Sequence, residues 1–269
     1  MRSKSVPESF HETVDCYRPL LRSEHAFAGR TAARLWKLPL PWRWQPGEPV
    51  DIAVPLHLSA PTVAGVRGRR LAEHKFRYWT LSGAPVVDAV TALFTCAPEL
   101  SVADAVTIID AIITEADNYP GRMPGRPFAS IEEILQRLEE WGRFPGSGTV
   151  RTAVALARTR VESPKETETR LLIRGAGLAE PIVQYEVRAD GRFVARVDLA
   201  YPELKIAIEY EGDGHRTDKQ QWRTDIRRQR DLEEQGWIVI RLTQADLDDG
   251  GATLLARLRS AIARAGQAV

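Results

Sequence analysis

The chain has 269 residues, enough for two domains or one large one with a sizeable core, and its formal net charge is only +1. That balance argues against a globally basic nucleic-acid binder and leaves local patches open. No run of about 18 apolar residues and no signal-peptide core occur, so a soluble, cytoplasmic protein with no membrane partner is expected. Cys16 and Cys96 have no zinc-ligand or CxxC spacing and read as free thiols.

Residues 1–24 are polar with scattered apolar positions, consistent with at most a short helix. Ala33, Leu35 and Leu38 fit a helix over 25–38, ended by Pro39 and Pro41. Residues 51–58 and 63–71 have strand composition. Arg67, Arg69 and Arg70 on the second of these suit an edge strand guarded by charge, or a phosphate contact. Helices are predicted over 85–94 and 101–116, the second carrying a broad apolar stripe with Asp104 and Asp110 on or near its polar side. A turn-rich loop covers 118–127. Ser130, with Glu133 three residues on, opens a helix to Trp141, and another helix spans about 149–161.

The character changes at Ser163. Ser163-Pro164-Lys165-Glu166 combines a capping box with proline at the first helical position, which places a boundary between a mainly helical domain of 1–160 and a second domain of 161–269. A strand over 182–188, an Asp190-Gly191 turn, two further strands, a helix over 218–235 stopped by Gly236, a strand over 237–243 and a helix over 253–265 follow. The second half therefore reads αβββαβα, an α+β arrangement.

Its centre is 192–215. At period two, Val194, Arg196, Asp198 and Ala200 share one face of the first strand, and Lys205, Ala207, Glu209 and Glu211 share one face of the next. With Tyr201-Pro202-Glu203 as a tight turn, Asp198 is expected near Ala207, with Glu209 a diagonal neighbour at roughly 7 Å. Three carboxylates beside His215 and Arg196 suit a divalent cation held by oxygen ligands. A solvated sheet face with ordinary salt bridges to Lys205 and Arg196 fits the same spacing. His215 has the ordinary pKa for accepting or donating a proton near neutrality, although a lone histidine after a turn is more often structural. Behind it, Arg216, Lys219, Arg223, Arg227 and Arg230 recur at helical spacing as a basic stripe suited to a phosphate backbone, or as a solvated helix face.

The segments SPKE (163–166), RVDLAYPELKIAIEYEGDGHR (196–216) and WRTDIRRQRDLEEQGWIVIRLT (222–243) resemble an actinobacterial group of proteins. Their C-terminal domain is similar to the very-short-patch-repair endonucleases of the PD-(D/E)XK superfamily. The resemblance covers roughly 160–265 and implies a restriction-endonuclease-like αβββαβ core that hydrolyses DNA phosphodiesters with Mg²⁺, or another divalent ion such as Mn²⁺. It assigns Asp198 and Glu209 to the metal, Glu166 to an acidic position on the first helix, and His215 to a place near the metal-bound water. Asp225 and Arg228 match a D-x-x-R pattern, and Arg228 joins the DNA-binding set. Glu211 stands where many relatives carry lysine. It is expected either to complete the metal shell or to mark a nuclease fold that has lost activity and serves as a nucleic-acid-binding or antitoxin-type regulator. The N-terminal half resembles, more weakly, the type IV antitoxin-like region that often precedes such a domain, which implies a protein partner there.

Overall fold

The computed structural model describes residues 7–116, 118–121, 123, 125–212 and 219–266, except for the side chains of 219–225. The chain is a mixed α/β protein that divides into two compact units, Met1–Asp117 with Gly121–Thr159, and Asn118–Pro120 with Arg160–Val269. Among the described residues no helix is long and apolar enough to cross a membrane.

The first unit contains α1 (Phe10–Tyr17), β1 (Ala26–Phe27), α2 (Gly29–Leu35), β2 (Val50–Pro55), β3 (Val66–Leu71), β4 (Tyr78–Leu81), β5 (Ala84–Val87), α3 (Ala89–Cys96), α4 (Val102–Ile113), α5 (Ile131–Trp141) and α6 (Ser147–Leu156). Its strands form a five-stranded sheet in the order β3-β2-β1-β5-β4, a larger sheet than the few strands expected. The helix predicted over 85–94 is in fact a strand followed by a helix. Asp88 follows β5 and its carboxylate accepts from Thr91 N (2.7 Å) to cap α3, so one polar residue divides the apolar stretch into two elements. Likewise the 25–38 helix begins only at Gly29, after the short β1.

Asp110 is fully buried rather than on a polar face, where its carboxylate accepts from Arg158 N (2.7 Å). The arginines of edge strand β3 turn inward: Arg67 and Arg69 reach the buried Asp51 (3.4 and 3.0 Å), and Arg67 also reaches Glu99 (2.8 Å). Burial offsets their effect and still raises the Asp51 carboxyl. This basic cluster is therefore largely consumed by internal ion pairs.

The second unit runs α7 (Pro164–Gly175), β6 (Ile182–Ala189), β7 (Arg192–Tyr201), β8 (Ile206–Tyr210), α8 (Lys219–Glu234), β9 (Ile238–Leu242), α9 (Ala245–Asp248) and α10 (Ala252–Gly266). The sheet order is β6-β7-β8-β9, with β6/β7 and β7/β8 antiparallel and β8/β9 parallel. Asp190 (φ 48°) and Gly191 (φ 77°) make the two-residue turn between β6 and β7, both in the left-handed region that this tight hairpin needs. One side of the sheet is sealed by Leu199, Ile206, Ile208, Ile240 and Leu242 against Ile173, Leu254 and Leu258 of α7 and α10. Leu232 of α8 and Trp237 join Ala200 and Ala207 in a second core. Both faces of the central strands are thus covered, which is why Ile206, Ala207 and Ile208 are consecutively buried.

The β7–β8 connection is longer than a three-residue turn. Pro202–Leu204 forms a single 3-10 turn and Lys205 follows with φ 47°, its Nζ donating to Gln235 O (3.0 Å). The strands consequently pair as Tyr201↔Ile206, Ala200↔Ala207 and Leu199↔Ile208. This corrects the expected register: continued by one step, it sets Asp198 opposite Glu209 rather than opposite Ala207.

Candidate active site

That register builds a row of polar side chains across the sheet. Gln184 of β6 falls between the pairs Val183↔Leu199 and Tyr185↔Val197, which places it opposite Asp198, and Glu209 in turn pairs with Arg241 of β9. Gln184, Asp198, Glu209 and Arg241 therefore cross β6 to β9 in line. Partners directly opposite in a ladder share a face and stand about 4.5–5.5 Å apart at Cβ.

Glu166 enters this row from α7. Ser163 caps that helix by accepting from Glu166 N (3.2 Å), and Pro164 occupies the first turn, where its missing N–H costs nothing. The Glu166 carboxylate reaches back to accept from Glu162 N (3.0 Å), one residue beyond the cap, and also accepts from Gln184 Nε2 (2.9 Å). It is 4% exposed, and burial, then the neighbouring Asp198 charge, pushes its pKa up to about 7. Asp198 Oδ2 accepts from Tyr210 N (2.9 Å). Burial raises its carboxyl too, opposed by that hydrogen bond and by Arg228, and reinforced by Glu162. The same holds for Glu209, raised by burial and by Asp198 but lowered by Arg228 and Arg241.

Arg228 donates to Glu209 and is the cation that α8 turns onto the acids. It faces the sheet, whereas Arg227 and Arg230 are exposed on the same helix. Arg228→Ala leaves Glu209 largely buried without its partner, and a loss of about 1–3 kcal/mol in urea unfolding is expected. Glu211 is placed differently. Its side chain is half-exposed, and its carboxylate is held by Arg241 at the β9 end of the row. Glu211→Ala should accordingly cost under about 1 kcal/mol in the same measurement. Arg196, on the exposed side of the row, pairs with Glu162 (2.8 Å).

His215 and Arg216 lie outside the described residues, as do the side chains of Lys219 and Arg223. Spacing alone gave no sign of Gln184, because an isolated glutamine in an edge strand reads as a solvent-facing residue. Its one signal is partnership: it stands opposite an acid that the next hairpin brings to the same row.

Among the described residues no three His, Cys, Asp or Glu side chains gather into a complete metal-ligand set. The donors that are present still suit one kind of ion. Asp198 is close enough to raise the proton affinity of Glu166, both are desolvated, and both offer hard oxygen atoms. Such a pair fits Mg²⁺ or Mn²⁺, which commonly take one or two carboxylates and complete their shell with water and phosphate oxygens. It does not fit zinc, which prefers a closed set of nitrogen and sulfur ligands. Cys96 offers none: it is buried, and burial pushes its thiol up to about 12. The first unit has a cleft of about 400 Å³ lined by Arg77, Tyr78, Trp79, Asp88, Phe128 and Arg137. Its charges are already paired, Arg77 with Glu133 and Arg137 with Asp88, so the acid row has the stronger claim to chemistry.

The fold and the row together define a mixed α/β protein with a desolvated carboxylate site on its second sheet. No protein-family model matches the chain, and no solved structure matches it significantly. An uncharacterized protein of Mycobacterium tuberculosis strain CDC 1551 and one of strain H37Rv are each 32% identical to it over 136 residues, which is 51% of this chain and 50% of theirs. The chain thus spans about half the length of the curated relatives it matches.

Proposed function

We propose that the second unit is a metal-dependent endonuclease of the PD-(D/E)XK type that hydrolyses DNA phosphodiester bonds, working in the cytoplasm with Mg²⁺ or Mn²⁺. The observation that carries the reading is the desolvated pair of Glu166 on α7 and Asp198 on β7, with Glu209 of β8 set opposite Asp198 by the strand register, within an αβββαβ order. Asp198 with Glu166 and Glu209 would hold the ion, which when bound neutralises the phosphate and makes water more acidic. The chain's own groups do the rest. Arg228 holds Glu209 in the row and brings a positive charge to its edge. The exposed Arg227 and Arg230 offer phosphate contacts, with Arg216, Lys219, Arg223 and His215 as further candidates on the same segment. The first unit, antitoxin-like by resemblance, would select or regulate the target through a partner protein.

The placement of Glu211 favours a second reading. The position that carries lysine in many relatives is here an acid tied to Arg241, so a nuclease fold retained only for nucleic-acid binding and transcriptional regulation is the alternative. Incubation of the full chain with supercoiled plasmid and Mg²⁺ or Mn²⁺ tests both, alongside duplex binding titrated with salt. Divalent-dependent nicking supports the endonuclease. Binding that weakens steeply with salt but never cuts leaves the regulator, and no binding at low salt contradicts both.

A further inference from the structure

We infer that Gln184 is a positioning residue of this site, its carboxamide bridging Glu166 and Asp198 so that the two carboxylates stay together for a cation. The inference deepens the metal-site reading above and rests on it.

Gln184 is costly where it stands. It is 3% exposed on an edge strand, and its backbone is left-handed (φ 49°), a conformation that residues other than Gly, Asn and Asp adopt reluctantly. The ladder on either side is intact, with Val183↔Leu199 and Tyr185↔Val197 in one register, so the kink is confined to this residue. A buried leucine there would desolvate no polar group, and the sheet itself gains nothing from an amide. What the amide supplies is a pair of donors on one planar nitrogen. Nε2 donates to Glu166 Oε2 (2.9 Å), and the side chain also hydrogen-bonds Asp198. Strain and burial concentrated on one polar side chain, with its donors aimed at two acids, mark a functional constraint.

Neutrality matters as much as reach. A lysine or arginine at 184 would cancel the charge of the acids and compete with a metal ion. An amide satisfies one lone pair on each carboxylate and leaves their full negative charge for the ion. Outer groups that orient ligating carboxylates in this way typically change metal affinity by roughly 10- to 100-fold when removed.

The test measures Mn²⁺ affinity by calorimetry at pH 7.5, and the thermal midpoint in EDTA, for the full-length wild type, Gln184→Leu, Gln184→Glu and Asp198→Asn. Gln184→Leu should weaken Mn²⁺ binding by roughly 10- to 100-fold, whatever its midpoint in EDTA loses because two buried carboxylates give up a donor. A lowered midpoint with unchanged Mn²⁺ affinity would make the residue merely structural and overturn the inference. Gln184→Glu keeps the shape and adds a third acid, and so guards against misfolding of the leucine variant. Its midpoint should fall in EDTA and rise on Mn²⁺ addition by more than that of wild type; equal rises would count against a bridging role. If Asp198→Asn abolishes Mn²⁺ binding while both Gln184 variants bind normally, only the role of Gln184 is lost. If wild type binds no Mn²⁺, the metal site fails and the role of Gln184 fails with it.

Discussion

Asp198→Asn is expected to abolish divalent-dependent plasmid cleavage while leaving the protein as stable as the wild type or more so. The activity loss should reach roughly 100- to 1,000-fold, since a bound ion supplies several kcal/mol of charge stabilisation and each tenfold in rate is about 1.4 kcal/mol. The stability change has the opposite sign for a local reason. Burial is the largest influence on Asp198, and the neighbouring Glu162 charge adds to it, so the folded protein without metal carries an unfavourable charge there. Asparagine keeps an oxygen to accept from Tyr210 N and removes that charge. A gain of about 1–2 kcal/mol in EDTA, a few degrees in midpoint, follows for a buried charge relieved in this way. A variant that lost activity by unfolding would show the reverse, so calorimetry in EDTA separates the two explanations.

Stability in metal-free buffer should fall as pH rises from about 4.5 to about 7, and Glu166→Gln should flatten that fall. The Glu166 pKa is raised from 4.5 to about 7 in the folded protein, so the native state binds its proton more tightly than the unfolded chain does. The contribution is complete below the unfolded value and is lost as pH passes through the folded one, on the order of 3 kcal/mol in all. Urea unfolding between pH 4.5 and 8 measures it. Addition of Mn²⁺ should reverse the trend, because an ion on the same oxygens displaces the proton and binds better at higher pH. A profile that rises with pH in EDTA would show that Glu166 is ionised and compensated by a cation of the protein itself.

Much of the second unit was legible in its residues. Ser163-Pro164 with Glu166 fixes the start of α7, Asp190-Gly191 fixes the β6–β7 hairpin, and Gly236 stops α8. The register of β7 against β8 was not, since it depends on one extra residue: Lys205 takes a left-handed conformation after the 3-10 turn, and that shift moves Asp198 from Ala207 to Glu209. In the first unit the run 85–94 concealed a strand because its apolar residues continue on both sides of Asp88. The capping Asp88 was the available signal. Arg228 pairs with Glu209 across to the sheet, a long-range partner that helical spacing does not reveal, whereas the side chain of Asp225 lies outside the described residues.

Crystals of the full chain grown with MnCl₂ and measured at the manganese absorption edge test the central claim most directly. The site described here predicts an anomalous peak bounded by carboxylate oxygens of Asp198 and at least one of Glu166 and Glu209. A fully ordered second unit with no peak beside Asp198, and Arg228 still bound to Glu209, would contradict it.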